Sequence, residues 1–142
     1  MDTLIIYELH VDDFSAQGNG QGTFLDVIDR LDHLKMAGIN AIELLPITEF
    51  PGTHSWGYDP QLMSAVEGNY GTPEEFMRLV DEAHSRGIAV IIDLVWNHIK
   101  STSPIWEIQP DYDLNPYIKL HTDLNPNEAE GSCGLIEWDH VN

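Results

Sequence analysis

A chain of 142 residues with 42% hydrophobic residues can form one modest domain with a core and is not composed like a disordered protein. Its 24 acidic residues face 6 basic ones, so phosphate backbones and anionic membranes would repel it and neither is an expected partner. No apolar run is long enough for a membrane span. The single cysteine, Cys133, and an N-terminus without a signal-peptide pattern favour a cytoplasmic location.

The first part of the chain alternates predicted strands with predicted helices. Residues 4–11 predict the first strand, and a glycine-rich loop over 18–22 follows it. Residues 39–45 predict the second strand, and residues 47–71 a long loop. Between the two strands, a helix is indicated by apolar residues at helical spacing that end before Gly38: Phe24, Val27, Ile28, Leu31 and Leu34.

A second helix and a third strand follow the long loop. Thr72 is a typical N-cap, Pro73 suits the first helical position, and Glu75 completes a capping box. Gly87 ends this helix. Residues 88–92 are so apolar and β-branched that they predict a buried strand or the middle of a core helix, and Gly87 before them and the polar Asn97 and His98 after them favour the strand. Strands that alternate with helices predict the α/β class with a parallel sheet.

Residues 99–142 are rich in Pro, Asn and Asp and are predicted to be a long loop with few short elements. Four aromatic residues of this region are equally suited to packing and to stacking on sugar rings: Trp106, Tyr112, Tyr117 and Trp138.

Two short patterns resemble ligand motifs but fail in detail. Asp111, Asp113 and Asn115 begin like a calcium-binding EF-hand loop, yet Pro116 and Thr122 occupy the positions of the turn glycine and the bidentate glutamate. The glycines of the 18–22 loop lack the spacing of a dinucleotide fingerprint. We therefore expect neither an EF-hand nor a dinucleotide site.

Three polar residues, Asp93, Asn97 and His98, follow the apolar third strand. The carboxyl ends of parallel strands are where α/β folds bind ligands. The sequence therefore places a carboxylate, an amide and an imidazole at the expected ligand-binding edge.

Five ordered strings resemble the first three βα steps of the catalytic barrel of the alpha-amylase family, glycoside hydrolase family 13. They are YELH at 7–10, GINAIELLP at 38–46, SWGYDP at 55–60, YGTP at 70–73 and DLVWNH at 93–98. The resemblance covers residues 4–98 closely and the remainder loosely. The Trp-Gly-Tyr string after the second strand is most similar to branching, debranching and related α-glucan enzymes.

The resemblance implies a partial (β/α)₈ barrel. Residues 1–142 would be the N-terminal portion of a single catalytic barrel, with a βαβαβ core over 1–98 and the long loop over 99–142. The family's nucleophile aspartate and general-acid glutamate follow later strands, and their motifs do not occur here. The chain alone is therefore expected to be inactive and to need the rest of the barrel.

The resemblance also implies roles in holding an α-glucan. Tyr58 would stack under a sugar ring, and His98 would hydrogen-bond the sugar at the cleavage subsite. A core tyrosine and a histidine that satisfies loop backbone are the structural alternatives. Asp93 would brace the site and not act as the nucleophile. His54, Trp56 and Asp59 lie close enough in sequence to line the same cleft.

Asn97 resembles a position that helps hold a structural calcium ion in classical α-amylases, although many relatives lack that ion and none is required. The leading hypothesis is a retaining α-glucan hydrolase or transglycosylase. The alternative is a non-catalytic glucan-binding or assembly module. Metal-dependent hydrolysis by His54, Asp93 and His98 ranks last, because their spacing matches no recognised ligand pattern.

Overall fold

A computed structural model describes residues 3–16, 20–111 and 114–118, and the backbone of 130–131 and 135–137. The chain forms two compact units. The first comprises Met1–Ile47 and Val66–Leu94, and the second comprises Thr48–Ala65 and Val95–Asn142. Several residues discussed above lie outside the described residues: Gly18, Tyr112, Asp113, Thr122, Cys133 and Trp138.

The first unit contains the predicted parallel sheet. Its strands β1 (Ile6–Leu9), β2 (Ala41–Leu44) and β5 (Ala89–Ile92) lie in the order β1-β2-β5. Both pairs are parallel, and Leu44 is level with Leu9 on one side and with Ile92 on the other. The three parallel strands are confirmed, and the polar residues after β5 begin at Asp93 as expected. The prediction that the third strand is buried was wrong, because β5 lies at the edge of the described sheet, where its residues are half-buried and Ile92 is exposed.

The predicted first strand was too long at its carboxyl end, where a short helix begins. Helix α1 spans Val11–Ser15, and the His10 side chain caps it by accepting a hydrogen bond from the backbone N–H of Asp13. An apolar run alone could not reveal this change, because Val11 is buried in the helix as it would be in a strand.

The helix predicted between the first two strands is divided into α2 (Phe24–Ile28) and α3 (Leu31–Met36). At the break, the backbone N–H of Arg30 donates to Val27 O, a tighter i to i−3 bond. The apolar stripe continues across the break, since Val27 and Leu31 are both fully buried. Periodicity therefore predicted the buried face correctly and missed the interruption.

Helix α4 (Pro73–Ser85) begins as its sequence predicted. Thr72 accepts from the backbone N–H of Glu75, and the Glu75 carboxylate accepts from the backbone N–H of Thr72. Helix α4 packs against α2 and β5, and its residues Leu79 and Ala83 are fully buried. Because β2 lies between β1 and β5, its side chains are the most buried of the sheet.

The second unit contains more regular structure than predicted. The region predicted as a loop over 47–71 holds strands β3 (Thr48–Glu49) and β4 (Leu62–Val66), which pair with each other. The region predicted as a loop over 99–142 holds the rest of β6 (His98–Lys100), helix α5 (Pro104–Glu107), β7 (Glu130–Gly131) and β8 (Leu135–Glu137). Strand β8 pairs antiparallel with both β6 and β7.

A small core explains these additional elements. Ile99 and Ile118 are fully buried, and Met63, Ile105 and Trp106 pack against them. Trp106 therefore has a packing role in this unit. Among the described helices of the chain, none combines the length and apolar character that crossing a membrane requires.

Candidate functional site

The second unit displays two aromatic side chains on one loop. We call residues 54–61 the aromatic loop. Trp56 is 71% exposed and Tyr58 is 41% exposed, whereas Gly57 between them is buried. Gly57 has φ +86°, a left-handed conformation that side-chain-bearing residues avoid. The loop therefore buries its backbone at Gly57 while it exposes an indole and a phenol.

His98, the first residue of β6, holds the backbone of this loop. Its Nε2 lies 2.7 Å from Tyr58 O, and its Nδ1 lies 2.8 Å from Asn97 Nδ2. A carbonyl can only accept, so Nε2–H donates to Tyr58 O, and Nδ1 accepts from the Asn97 amide. Both ring nitrogens thus have protein partners, as in the alternative of a histidine that satisfies loop backbone. A sugar contact by His98 stays a prediction and would require one partner to be exchanged.

Asp59 uses both carboxylate oxygens within the same unit. Ser55 Oγ donates to Oδ1, and Lys100 Nζ lies 3.5 Å from Oδ2. Ser55 Oγ also accepts from the backbone N–H of Gly57 at 3.0 Å. The backbone N–H of Lys100 in turn donates to Pro60 O at 2.8 Å. The aromatic loop is therefore joined to β6 through side chains and backbone.

Sequence reasoning missed Ser55 and Lys100. Only a partial signal for Lys100 existed: residues two apart on a strand share a face, but β6, which places Lys100 on the face of His98, falls where the sequence predicts a loop from residue 99 onward. Ser55 carried no comparable signal. His54 lies exposed in the aromatic loop, and its predicted part in the cleft stays a prediction.

Asp93 belongs to the first unit, whereas the other candidates belong to the second. It follows β5 directly, is half-buried, and its backbone N–H donates to Leu44 O at 2.9 Å. Its predicted bracing role stays a prediction.

We also considered whether the residues fit a structural calcium ion. Calcium requires six to eight oxygen ligands. In the part of the chain that the structure describes, no three His, Cys, Asp or Glu residues form a group that could hold a metal ion. The Asn97 amide nitrogen is bonded to His98, whereas calcium would bind the amide oxygen, so calcium binding by Asn97 stays a prediction.

A second polar cluster, missed from the sequence, lies in the first unit at the carboxyl end of β1. His10 Nδ1 accepts from the backbone of Asp13, so its Nε2–H donates to the Tyr70 hydroxyl at 2.9 Å. Burial and, next, the negative charge of Glu67 raise the pKa of the Tyr70 phenol well above its ordinary value. The arrangement keeps Tyr70 neutral and fixed beside β1.

A parallel βα sheet with polar residues at its strand ends is shared by α/β barrel enzymes and doubly wound α/β proteins. Residues 9–126 match the model of the alpha amylase catalytic domain. The chain belongs to the alpha-amylase family, glycoside hydrolase family 13, which confirms the resemblance seen in the sequence.

Relatives agree with this assignment. The chain is 48% identical over 98 residues to the malto-oligosyltrehalose trehalohydrolase of Saccharolobus solfataricus, covering 69% of this chain and 17% of the relative. It is 34% identical over 143 residues to the 1,4-alpha-glucan branching enzyme of Halothermothrix orenii, covering 98% and 21%. The chain thus spans only a small part of the curated relatives it matches. The similarity to branching-type enzymes is also confirmed.

Solved structures of this family share the fold. A putative alpha amylase from Salmonella typhimurium superposes with a TM-score of 0.72 at 31% identity, covering 87% of this chain and 20% of that one. The trehalose-6-phosphate hydrolase of Bacillus licheniformis gives a TM-score of 0.71 at 29% identity, covering 97% and 28%. These matches confirm the predicted partial barrel.

Proposed function

We propose that this chain supplies part of the substrate site of a retaining α-glucan hydrolase or transglycosylase that acts on α-1,4 or α-1,6 glucosidic bonds. Such chemistry uses two carboxylates about 5–5.5 Å apart, one of which forms a glycosyl-enzyme intermediate. We assign neither carboxylate to this chain. Its part is to bind and orient the glucan, and the remainder of a barrel is needed for turnover.

The observation that carries the proposal is the aromatic loop. A pyranose ring presents C–H groups that pack on an aromatic face, and a phenol adds a hydrogen bond. Trp56 and Tyr58 offer these faces at the surface of the second unit. The names of the relatives, which act on malto-oligosyltrehalose and on 1,4-alpha-glucan, support an α-glucan as the ligand.

The charge of the chain fits a neutral ligand. At a formal net charge of −18, phosphate-bearing and anionic partners are repelled, whereas an uncharged glucan is not. For the same reason, nucleic acid and membrane surfaces are not among the proposed partners. We place the protein in the cytoplasm, in keeping with its single cysteine.

Calorimetric titration of the 142-residue chain with maltoheptaose tests the proposal. Cellohexaose is the matched control, since it has the same glucose units in β linkage. We expect binding of maltoheptaose, weaker or absent binding of cellohexaose, and no release of reducing sugar. Equal affinity for both oligosaccharides, or no binding of either, would reject the proposed site. Sustained cleavage of maltoheptaose by the pure chain would reject the claim that this chain binds the glucan but supplies neither catalytic carboxylate.

The second candidate function is a non-catalytic binding or assembly module. Apolar side chains along β1 favour it, because Ile6 and Tyr7 are 46% and 40% exposed and are suited to association. An enzyme part and a non-catalytic module would both bind glucan or a partner protein. When this chain is joined to the remainder of a barrel, only the enzyme hypothesis predicts turnover of the glucan.

A further inference from the structure

We propose that Lys100 is a positioning residue, which fixes the aromatic loop for sugar binding through its ion pair with Asp59. The inference rests on the proposed function, because it takes the loop to be the surface that meets the glucan. It goes further by assigning a role to a residue outside the motifs of the family resemblance.

Three consecutive residues of the aromatic loop are held by β6. Tyr58 O accepts from the His98 ring at 2.7 Å, Pro60 O accepts from the Lys100 backbone at 2.8 Å, and the Asp59 carboxylate faces the Lys100 ammonium at 3.5 Å. Only the last of these contacts depends on charge. The His98 ring and the Lys100 side chain are both contacts that a substitution can remove without changing the backbone, and only the Lys100 contact tests the contribution of charge.

The ion pair reaches the backbone between the two aromatic residues. Lys100 holds one oxygen of Asp59, while the other oxygen accepts from Ser55 Oγ. The same hydroxyl oxygen accepts from the backbone N–H of Gly57. Gly57 is buried and left-handed, so a shift of Asp59 would alter the turn that directs Trp56 and Tyr58 outward.

The charge distribution makes this pair specific. Lys100 is the one lysine or arginine among the described residues of the second unit. The side chains of Lys100 and Asp59 are 26% and 25% exposed, so each is largely withdrawn from water. Removing the ammonium would leave a mostly buried carboxylate without a counter-charge, and the loop would move to hydrate it.

A role for Asp59 follows from the same contacts. The sequence predicted that Asp59 lines the sugar cleft, but both of its oxygens have protein partners. We therefore assign Asp59 to the loop's internal support, and we assign sugar contact to the neighbouring aromatic rings.

Amide hydrogen exchange of Gly57 tests the positioning step without any sugar. In Lys100→Met, we expect the Gly57 amide to exchange about ten-fold faster, while the Asp93 amide, which donates to Leu44 O of β2, stays unchanged as a reference. Lys100→Arg should restore the wild-type rate, because it keeps the charge. Arg78→Met is the matched control, since it removes one exposed cation from α4. An unchanged Gly57 rate in Lys100→Met would overturn the proposal.

Maltoheptaose titration tests the consequence for binding. We expect Lys100→Met to weaken affinity about three- to ten-fold and Lys100→Arg to recover it. Asp59→Asn removes the charge but keeps an oxygen that accepts from Ser55, so it should lose the same affinity for maltoheptaose. This variant replaces Lys100→Met in the test if Lys100→Met does not fold. Faster exchange of the Gly57 amide in Lys100→Met, with unchanged affinity for maltoheptaose, would overturn the role of Lys100 in sugar binding. If the wild-type chain binds no maltoheptaose, the proposed function fails, whereas Gly57 exchange still decides whether Lys100 positions the loop.

Discussion

At the scale of single residues, Tyr58 is the side chain on which sugar binding should depend most. Its ring is exposed, while its carbonyl is held by His98. We expect Tyr58→Ala to weaken maltoheptaose binding by about 1–2 kcal/mol, because the stacking face and the phenol are both lost. The melting temperature should change little. Met77→Ala, at an exposed apolar residue of helix α4 in the first unit, is the control, and an equal loss there would show that the effect is not specific to the aromatic loop.

Tyr70 should make the stability of the chain sensitive to alkali. Its pKa is raised in the fold, mainly by burial, so the folded state keeps the phenol proton to higher pH than the unfolded state does. Its contribution to the free energy of unfolding is complete below a pH of about 10, which is the ordinary pKa of tyrosine. The contribution is lost as the pH rises above that value. Urea unfolding measured from about pH 8 to about pH 11.5 should show that the free energy of unfolding falls as the pH rises above about 10.

Tyr70→Phe isolates this effect. The variant loses the hydrogen bond from His10 and should be less stable by about 1 kcal/mol at pH 8. Above pH 10 its stability should fall less steeply than that of the wild type, since the buried phenol is gone. Parallel curves for the two proteins would contradict the assignment.

The sequence predicted the exposure of Tyr58 better than it predicted the contacts of individual residues. Polar surroundings in the 54–61 loop indicated that Tyr58 lies outside the core, and it is exposed. The partner of the His98 ring could not be predicted, because it is a backbone carbonyl 40 residues away. Lys100 was missed for the same reason, because its partner is the carboxylate of Asp59, which is distant in the sequence.

At the scale of elements, the start of α4 is the feature that its sequence specifies most fully. Thr72→Ala removes the hydroxyl that accepts from Glu75 N, and we expect it to destabilise the fold by about 1 kcal/mol. Thr72→Ser keeps the hydroxyl and should stay near wild type. Thermal unfolding of the two variants would show this difference. Equal melting temperatures would mean that the cap contributes nothing to the folding transition.

Elements with local signals were predicted and those that depend on distant partners were not. Helix α4 carries its cap, its first-turn proline and its apolar stripe within one segment. Strands β6 and β8 gain regularity only by pairing with each other, 35 or more residues apart. Helix α5 is an exception, since Ser103 and Pro104 are a local start signal that the abundance of Pro, Asn and Asp obscured.

At the scale of the whole molecule, the outer strands of the parallel sheet should promote self-association. Within the described residues, β1 and β5 each pair only with β2, and the side chains of residues 4–7 are 40–50% exposed. Unpaired apolar strand edges recruit other chains. The large negative charge opposes this association, but salt screens it within about 10 Å at 0.1 M.

We therefore expect light scattering to rise with added salt. Ile6→Lys should suppress the rise, because it places a charge on the exposed strand β1. Met36→Lys is the control, since Met36 is exposed at the end of α3 and outside the sheet. A monomer with cooperative unfolding at every salt concentration would show that the strand edges are covered.

The central claim is that this chain provides a glucan-binding aromatic loop to an alpha-amylase-family barrel. The most direct measurement replaces the matching segment of the Saccharolobus solfataricus trehalohydrolase with this chain and follows trehalose release from malto-oligosyltrehalose. We predict a folded chimera that retains activity and that loses at least about ten-fold in kcat/KM on Tyr58→Ala. A chimera that melts cooperatively but releases no trehalose would contradict the account. So would an active chimera whose kcat/KM is unchanged by Tyr58→Ala.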